Sequence, residues 1–482
     1  MTTLSPAPTR GEIPKVPEQS AADRQRRRFL RRLTAATGGG MFIDGFVFAC
    51  IAVVVAGQVF RDDLGITPLW LSMISASTLV GTIIGGPVVG QLTDRFGRRP
   101  MFTADLCLFL VASVLMFFVT DPWQIVVLGV VMGFAVGGDY AIGSPMLGEF
   151  APAHSRGHYL GVLEILWNVG YVVAFAAGFF ITRADPEAWR WALALGTVPA
   201  AVVLGLRHGL PESPRWLIAH GRRAEAEKIL SEHLQVPAGD AEFADEQAAG
   251  EERSGTPYRT LFHRDYLGRT LFCSVFWICI VLPYFAITFF QADILGTIGI
   301  SDPLLTAVFG TLVALAGAAL GWFLIDRVGR RKILVLPMFV TGVALLAVAL
   351  SAHLPQPLIV TFFFLYLFAY GVMSILPGVY PLEVFPTSVR TTGMGVSAAA
   401  SRVGAAIGTF VLPLSLTGLG LAPTLGITAA VCFLGGVVSL VMAPETAGRA
   451  LSVTGGRDAA ASTLPTSTST STSTTTSKGS SS

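Results

Sequence analysis

Gly90-Gln91-Leu92-Thr93-Asp94-Arg95-Phe96-Gly97-Arg98-Arg99 and, far downstream, Asp326-Arg327-Val328-Gly329-Arg330-Arg331-Lys332 decide how this chain is built. Both contain D-R-x-G-R-R, and each follows a long apolar run. A second motif repeats beside the first: Glu149-Phe150-Ala151-Pro152-Ala153-His154-Ser155-Arg156 and Glu383-Val384-Phe385-Pro386-Thr387-Ser388-Val389-Arg390 share E-x-x-P-x-x-x-R. The first pair is offset by 326 − 94 = 232 residues and the second by 383 − 149 = 234. Two independent motifs at nearly one spacing report an internal duplication.

What is duplicated follows from composition. Of 482 residues, 52% are hydrophobic and 13% charged, where an ordinary soluble chain carries about 25% charged residues. Apolar runs of roughly twenty residues, the length that crosses about 30 Å of hydrocarbon as helix, recur about twelve times, from near residue 34 to near residue 443. They are continuous, with Gly and Pro interspersed, whereas strands of a membrane barrel alternate over about ten residues. An all-α polytopic membrane protein is expected: twelve transmembrane helices in two pseudo-symmetric six-helix halves, with the motifs in corresponding loops.

Net charge is only +2, so the placement of the basic residues is the informative part. With both termini on the cytoplasmic side, among the arginines only Arg61, Arg183 and Arg190 fall in outer loops, which fits the positive-inside bias. Residues 1–32 read as a cytoplasmic tail whose cluster Arg24, Arg26, Arg27, Arg28, Arg31 and Arg32 is juxtamembrane charge rather than a nucleic-acid arm. Residues 33–209 form the first half, 210–265 a cytoplasmic linker with short helices, and 266–445 the second half. Residues 446–482, rich in Ser and Thr, read as a disordered cytoplasmic tail. The five cysteines stand singly inside spans with no pairing or metal-ligand spacing.

In the repeated loop, Gly97 and Gly329 permit a tight turn between helices, and Asp94 and Asp326 sit where a carboxylate faces a helix N-terminus or the neighbouring arginines. A charged turn that merely fixes topology explains one copy; two copies in register favour a gating role.

These motifs resemble those of the major facilitator superfamily, and more narrowly its sugar-porter-like and metabolite:proton symporter branches. Pro211-Glu212-Ser213-Pro214-Arg215-Trp216-Leu217 after the sixth span and Pro444-Glu445-Thr446 after the last are similar to segments of the same families. The resemblance covers about residues 30–450. It implies alternating access, with a cytoplasmic gating network of Asp94, Arg95, Arg99, Glu149 and Arg156 and their counterparts Asp326, Arg327, Arg331, Glu383 and Arg390. Two departures bear on substrate. The glutamine-rich stretch of sugar porters is replaced in the seventh span by Phe276-Trp277-Ile278-Cys279-Ile280-Val281-Leu282-Pro283-Tyr284-Phe285, which argues against a hexose porter. Gly137-Gly138-Asp139-Tyr140 resembles the G-G-D-Y of phosphate:proton symporters, but the residues after it differ from theirs.

An ionisable group at mid-bilayer costs about 2.5–3.5 kcal/mol on insertion scales, so each one requires a reason. Asp44 and Asp139 each lie about ten residues from the inner end of a span, roughly 15 Å deep. A carboxyl at that depth is disfavoured as an anion and can exchange a proton as access alternates; it can equally serve as an interhelical hydrogen-bond partner. Asp44, Asp139 and Glu164 are the proton-coupling candidates. In the second half a lone cation, Arg402, occupies a Ser401-Arg402-Val403-Gly404 context that resembles the eleventh span of organic anion transporters. A guanidinium there either binds a substrate carboxylate or pairs with a buried acid. Arg402, Asn168, Trp167, Tyr284 and Gln291 are the substrate-binding candidates.

The expectation is therefore a secondary active transporter for a small polar organic solute, an organic acid, sugar or polyol-like metabolite. Proton symport, a lipid bilayer, the inner membrane, a monomer and no nucleic-acid partner complete it. A proton-coupled exporter, a phosphate:proton symporter and a transporter-fold receptor remain as alternatives. No Walker A loop, dinucleotide fingerprint or nucleophile elbow marks an enzyme, and no cofactor or metal is expected.

Overall fold

A computed structural model describes residues 21–150, 156–233, 261–350, 354–385 and 390–446. The stretch before residue 21, the middle of the 210–265 linker and the Ser/Thr-rich tail after Thr446 lie outside the described residues. Among those described there are helices and no strands, and twelve helical segments are long and apolar enough to cross a membrane. The first six are α1 (Ala21–Val55), α2 (Pro68–Phe96), α3 (Arg98–Leu115), α4 (Pro122–Phe150), α5 (Arg156–Ala184) and α6 (Pro186–Arg207). The second six are α7 (Arg264–Phe289), α8 (Pro303–Val328), α9 (Arg330–Ala349), α10 (Gln356–Val384), α11 (Arg390–Gly418) and α12 (Leu421–Met442). An even number of crossings puts the start of α1 and the end of α12 on one face, here termed the terminal face.

Two spans that read as continuous are interrupted by short turns. The breaks lie at Leu195–Gly196 in α6 and at Ser374–Ile375 in α10. Each has a proline four residues after a break-edge carbonyl, Pro199 after Leu195 and Pro377 after Met373. Proline has no N–H to return to that carbonyl, and its ring starts a new helical turn readily.

Within each half the same partners meet: α2 packs on α4 and α1 on α5, as α8 packs on α10 and α7 on α11. The halves join along α2 against α11 and α5 against α8, two contacts related by the duplication. Small residues set the crossing of α1 with α5. A Cβ on Gly45 would run into the Trp167 carbonyl, and one on Gly170 into the Phe42 carbonyl. Only glycine allows this reciprocal approach of α1 to α5, and it fixes Asp44 at the level of Trp167 and Asn168. Large apolar side chains such as Val111, Phe118, Phe180, Val202, Leu336 and Val441 point outward, as a hydrocarbon solvent requires.

Candidate functional site

The terminal face is built twice over from the same parts. Gly97 and Gly329, at φ 99° and 98°, occupy the left-handed region that the turn demands. The helix that follows each starts under a carboxylate. Glu212 accepts from the Arg98 amide at 2.9 Å and also from the Arg99 amide, and Glu445 accepts from the Arg330 amide at 3.0 Å and the Arg331 amide at 3.3 Å. An anion at a helix N-terminus is stabilised by unpaired N–H groups and the helix dipole together. One step further in, Arg98 pairs with Glu149 at 2.7 Å and Arg330 with Glu383 at 3.0 Å. The Ser213 and Thr446 hydroxyls donate to those same glutamates.

The ion-pair partners of Glu149 and Glu383 are thus Arg98 and Arg330, which the expected network did not include. Asp94, Arg95 and Arg99 are exposed. Asp94 receives the Trp216 indole N–H on its backbone carbonyl at 2.9 Å, and the seat at the helix N-terminus expected for Asp94 is taken by Glu212. Arg327 lies over the Phe323 ring at 3.9 Å, and Arg331 donates to the Leu440 carbonyl at 2.7 Å. The side chains of Arg156, Asp326 and Arg390 lie outside the described residues.

The opposite face is joined across the halves. Arg61 pairs with Asp293 at 2.6 Å and Arg183 with Asp302 at 2.7 Å. The Tyr171 hydroxyl donates to the Thr288 carbonyl at 3.4 Å. Arg61 and Asp293 stand at 61 + 232 = 293, the duplication offset, on the short helices Gln58–Asp63 and Gln291–Thr297. Burial raises the Asp293 carboxyl above the ordinary carboxylate range, and the Arg61 charge beside it opposes that rise. Gln291 is buried there, with neither amide atom hydrogen-bonded.

Between these faces the first half holds a charge cluster. Asp44, Asp105, Asp139 and Arg207 are 1%, 5%, 7% and 3% exposed, and all four line one small cavity of about 10 Å³, room for about one water. The Arg207 guanidinium is ion-paired with Asp139, lies 3.3 Å from Asp105 and donates to the Phe102 carbonyl at 2.6 Å. Its plane rests 3.4 Å from the centroid of the Phe102 ring. Asp105 also caps the Leu106 amide at 2.7 Å. Among the described residues, Asp44 Oδ2, Asp105 Oδ2 and Arg207 Nε have no hydrogen-bond partner. Sequence reading brought out Asp44 and Asp139 and missed Asp105 and Arg207. Asp105 interrupts an apolar run about 10 Å into α3, a usable signal. Arg207 stands at the end of a span, where a charge is ordinary.

Along the seam lies an aromatic cluster. Tyr284 of α7 and Tyr370 of α10 stack at 3.7 Å and 3°. Trp167 sits 6.2 Å from Tyr284 and 5.7 Å from Tyr171, and Phe48 meets Phe285 edge-on at 5.0 Å. The Trp167 indole N–H has no acceptor among the described residues, while Asn168 donates its amide to the Glu164 carbonyl at 3.0 Å, within its own helix. Nearer the terminal face are Tyr140, Glu164 and Arg402, half-buried although deep in their spans. Arg402 lies over the Tyr140 ring at 4.9 Å.

The family profile described as "Sugar (and other) transporter" matches residues 31–454. The inner membrane metabolite transport protein YgcS of Escherichia coli (strain K12) is 37% identical over 422 residues, which are 87% of this chain and 92% of that protein. Among solved structures, the partially occluded inward open conformation of the xylose transporter XylE from E. coli matches with a TM-score of 0.77 at 19% identity, covering 88% of this chain and 100% of that one. The proton:xylose symporter XylE bound to 6-bromo-6-deoxy-D-glucose matches at 0.73 and 20%, covering 89% and 98%. The structural matches establish the fold, and the family profile and the YgcS relative carry it further. The chain belongs to the sugar and metabolite transporters of the major facilitator superfamily, a multi-pass membrane transporter and not an enzyme.

Proposed function

We propose that this protein is a proton-coupled symporter of a small polar organic solute in the inner membrane, with the terminal face in the cytoplasm. The halves 33–209 and 266–445 would rock about a seam site near mid-membrane. The observation that carries the coupling is the buried cluster of Asp44, Asp105, Asp139 and Arg207. With every carboxyl ionised its formal charge would be 1 − 3 = −2. Low-dielectric surroundings do not tolerate such a surplus, so the cluster binds protons to approach neutrality. Arg207 is engaged by Asp139, and Asp44, whose Oδ2 has no hydrogen-bond partner among the described residues, is the acid we assign to proton exchange. Arg402 is the anion partner for a solute carboxylate.

The ion pairs support an inward-facing arrangement. Among the described residues, the pairs that cross between the halves, Arg61–Asp293 and Arg183–Asp302, lie at the face opposite the termini, whereas Arg98–Glu149 and Arg330–Glu383 each join residues of one half. In this reading Glu149, Glu383 and the exposed arginines Arg95, Arg99, Arg327 and Arg331 come together across the halves only when the terminal face closes. The test is solute-induced proton uptake in proteoliposomes over a panel of organic acids, sugars and polyols. A solute that draws protons in with the parent protein and not with Asp44→Asn is the expected result. Unaltered proton movement in Asp44→Asn would remove that residue from the coupling step.

A further inference from the structure

We infer that the seam site takes a zwitterionic organic solute, with its carboxylate on Arg402 and its cationic end on Glu164. This deepens the reading of the seam as the solute site and rests on it. Glu164 comes from α5 and Arg402 from α11, one from each half. Along their helices they lie 164 − 156 = 8 and 402 − 390 = 12 residues from the terminal-face ends, roughly 12 and 18 Å. Each reaches the opposite half, Glu164 to Gly378 of α10 and Arg402 to the Tyr140 ring of α4. Yet among the described residues neither has an ion-pair partner within 4.0 Å. The two opposite charges are not paired with each other, and each rests in its own surroundings. The Glu164 carboxyl is packed against Gly378 of α10, where an added Cβ would come 3.1 Å from its Oε1. Arg402 rests on the ring of Tyr140. Each pole thus has its own support.

Closure of the seam desolvates both groups. A sugar would leave Glu164 and Arg402 each without a counter-charge in direct contact, and a simple carboxylate would satisfy Arg402 while adding an anion beside Glu164. A solute with opposite poles satisfies both. The stacked Tyr284 and Tyr370 and the Trp167 ring offer faces to a cationic or flat apolar body. Glu164 is then a solute contact rather than a coupling acid.

The experiment measures binding to the purified full-length protein by quenching of intrinsic tryptophan fluorescence, with thermal stabilisation as a second readout. The probes are two matched series: L-phenylalanine, 3-phenylpropionate and phenethylamine, then 4-aminobutanoate, butanoate and butylamine, with D-xylose as the neutral member. We expect at least one zwitterion to bind tenfold or more tighter than both its singly charged analogues and than xylose. Glu164→Gln should erase the preference over the carboxylate analogue, Arg402→Gln should erase it over the amine, and Glu164→Asp should keep it in both comparisons. Three results overturn the inference: no zwitterion binding, a carboxylate or xylose binding as tightly, or a ratio unchanged in a folded Glu164→Gln. No proton gradient is applied, so the outcome separates from that of the coupling test. Proton-driven uptake of a sugar with no zwitterion preference would sink this inference alone, and zwitterion preference without proton movement would sink the symport reading alone.

Discussion

Glu212 sits on the Arg98 and Arg99 amides as Glu445 sits on those of Arg330 and Arg331, and Ser213 serves Glu149 as Thr446 serves Glu383. Deeper in the membrane the halves part company. Applying the local offsets, Asp105 corresponds to 105 + 232 = 337, Asp139 to 139 + 234 = 373 and Arg207 to 207 + 233 = 440. Those positions are Pro337, Met373 and Leu440. The duplicated halves keep the parts that turn the chain and cap its helices, because any six-helix half needs them at that face. Ionisable chemistry is needed once, and one half carries the charge cluster while its counterpart is apolar. In the proposed symport, this symmetric frame around an asymmetric interior couples one ion to one solute.

The comparison can be tested at decreasing cost to the protein. Arg207→Met strips the counter-charge from Asp139 and Asp105, and breaking a buried pair in this way costs about 3–5 kcal/mol. Leu440→Met, at the matching place, should cost less than about 1.5 kcal/mol. Thermal unfolding in detergent reads both, and equal losses would mean that the cluster carries no special charge burden. Glu212→Ala and Glu445→Ala should each lose roughly 1.5–3 kcal/mol, since each deletes charge-assisted bonds to helix amides; markedly unequal losses would break the claim that the two turns do the same work.

The smallest effect belongs to the seam. Arg61 and Asp293 are 21% and 29% exposed in their side chains, so Arg61→Glu should weaken closure of that face by about 0.2–1 kcal/mol, and Arg61→Glu with Asp293→Arg should restore it. A fluorophore pair across the seam measures the opening. Burial holds the Asp293 proton more tightly in the closed latch than in an opened, solvated one. Closure is therefore favoured at lower pH and weakens as pH rises through that raised value. An opening that grows on acidification would contradict this sign.

The spans, their number and the duplication were legible because hydrocarbon admits only continuous apolar helices at that length, and because two motifs shared nearly one offset. The choice among arginines was not. Whether Arg95, Arg98 or Arg99 meets Glu149 depends on the helical phase set by Gly97 at positive φ, and D-R-x-G-R-R offers all three. The gap was larger for the charge cluster. Asp105 and Arg207 lie 102 residues apart and are brought together only by α3 packing on α4 and α6. Asn168 read as a site residue beside Trp167, but its amide is used by its own helix.

The central claim is that the first half handles the proton and the seam handles the solute, and it is tested most directly by separating exchange from accumulation. In proteoliposomes loaded with any solute found to bind, counterflow exchange needs alternating access alone, while uphill accumulation needs an imposed proton gradient. Asp44→Asn should keep exchange and lose gradient-driven accumulation, and Arg402→Gln should lose both. If Asp44→Asn still accumulates solute under the gradient, or Arg402→Gln exchanges as the parent does, the division of labour between the two regions is wrong.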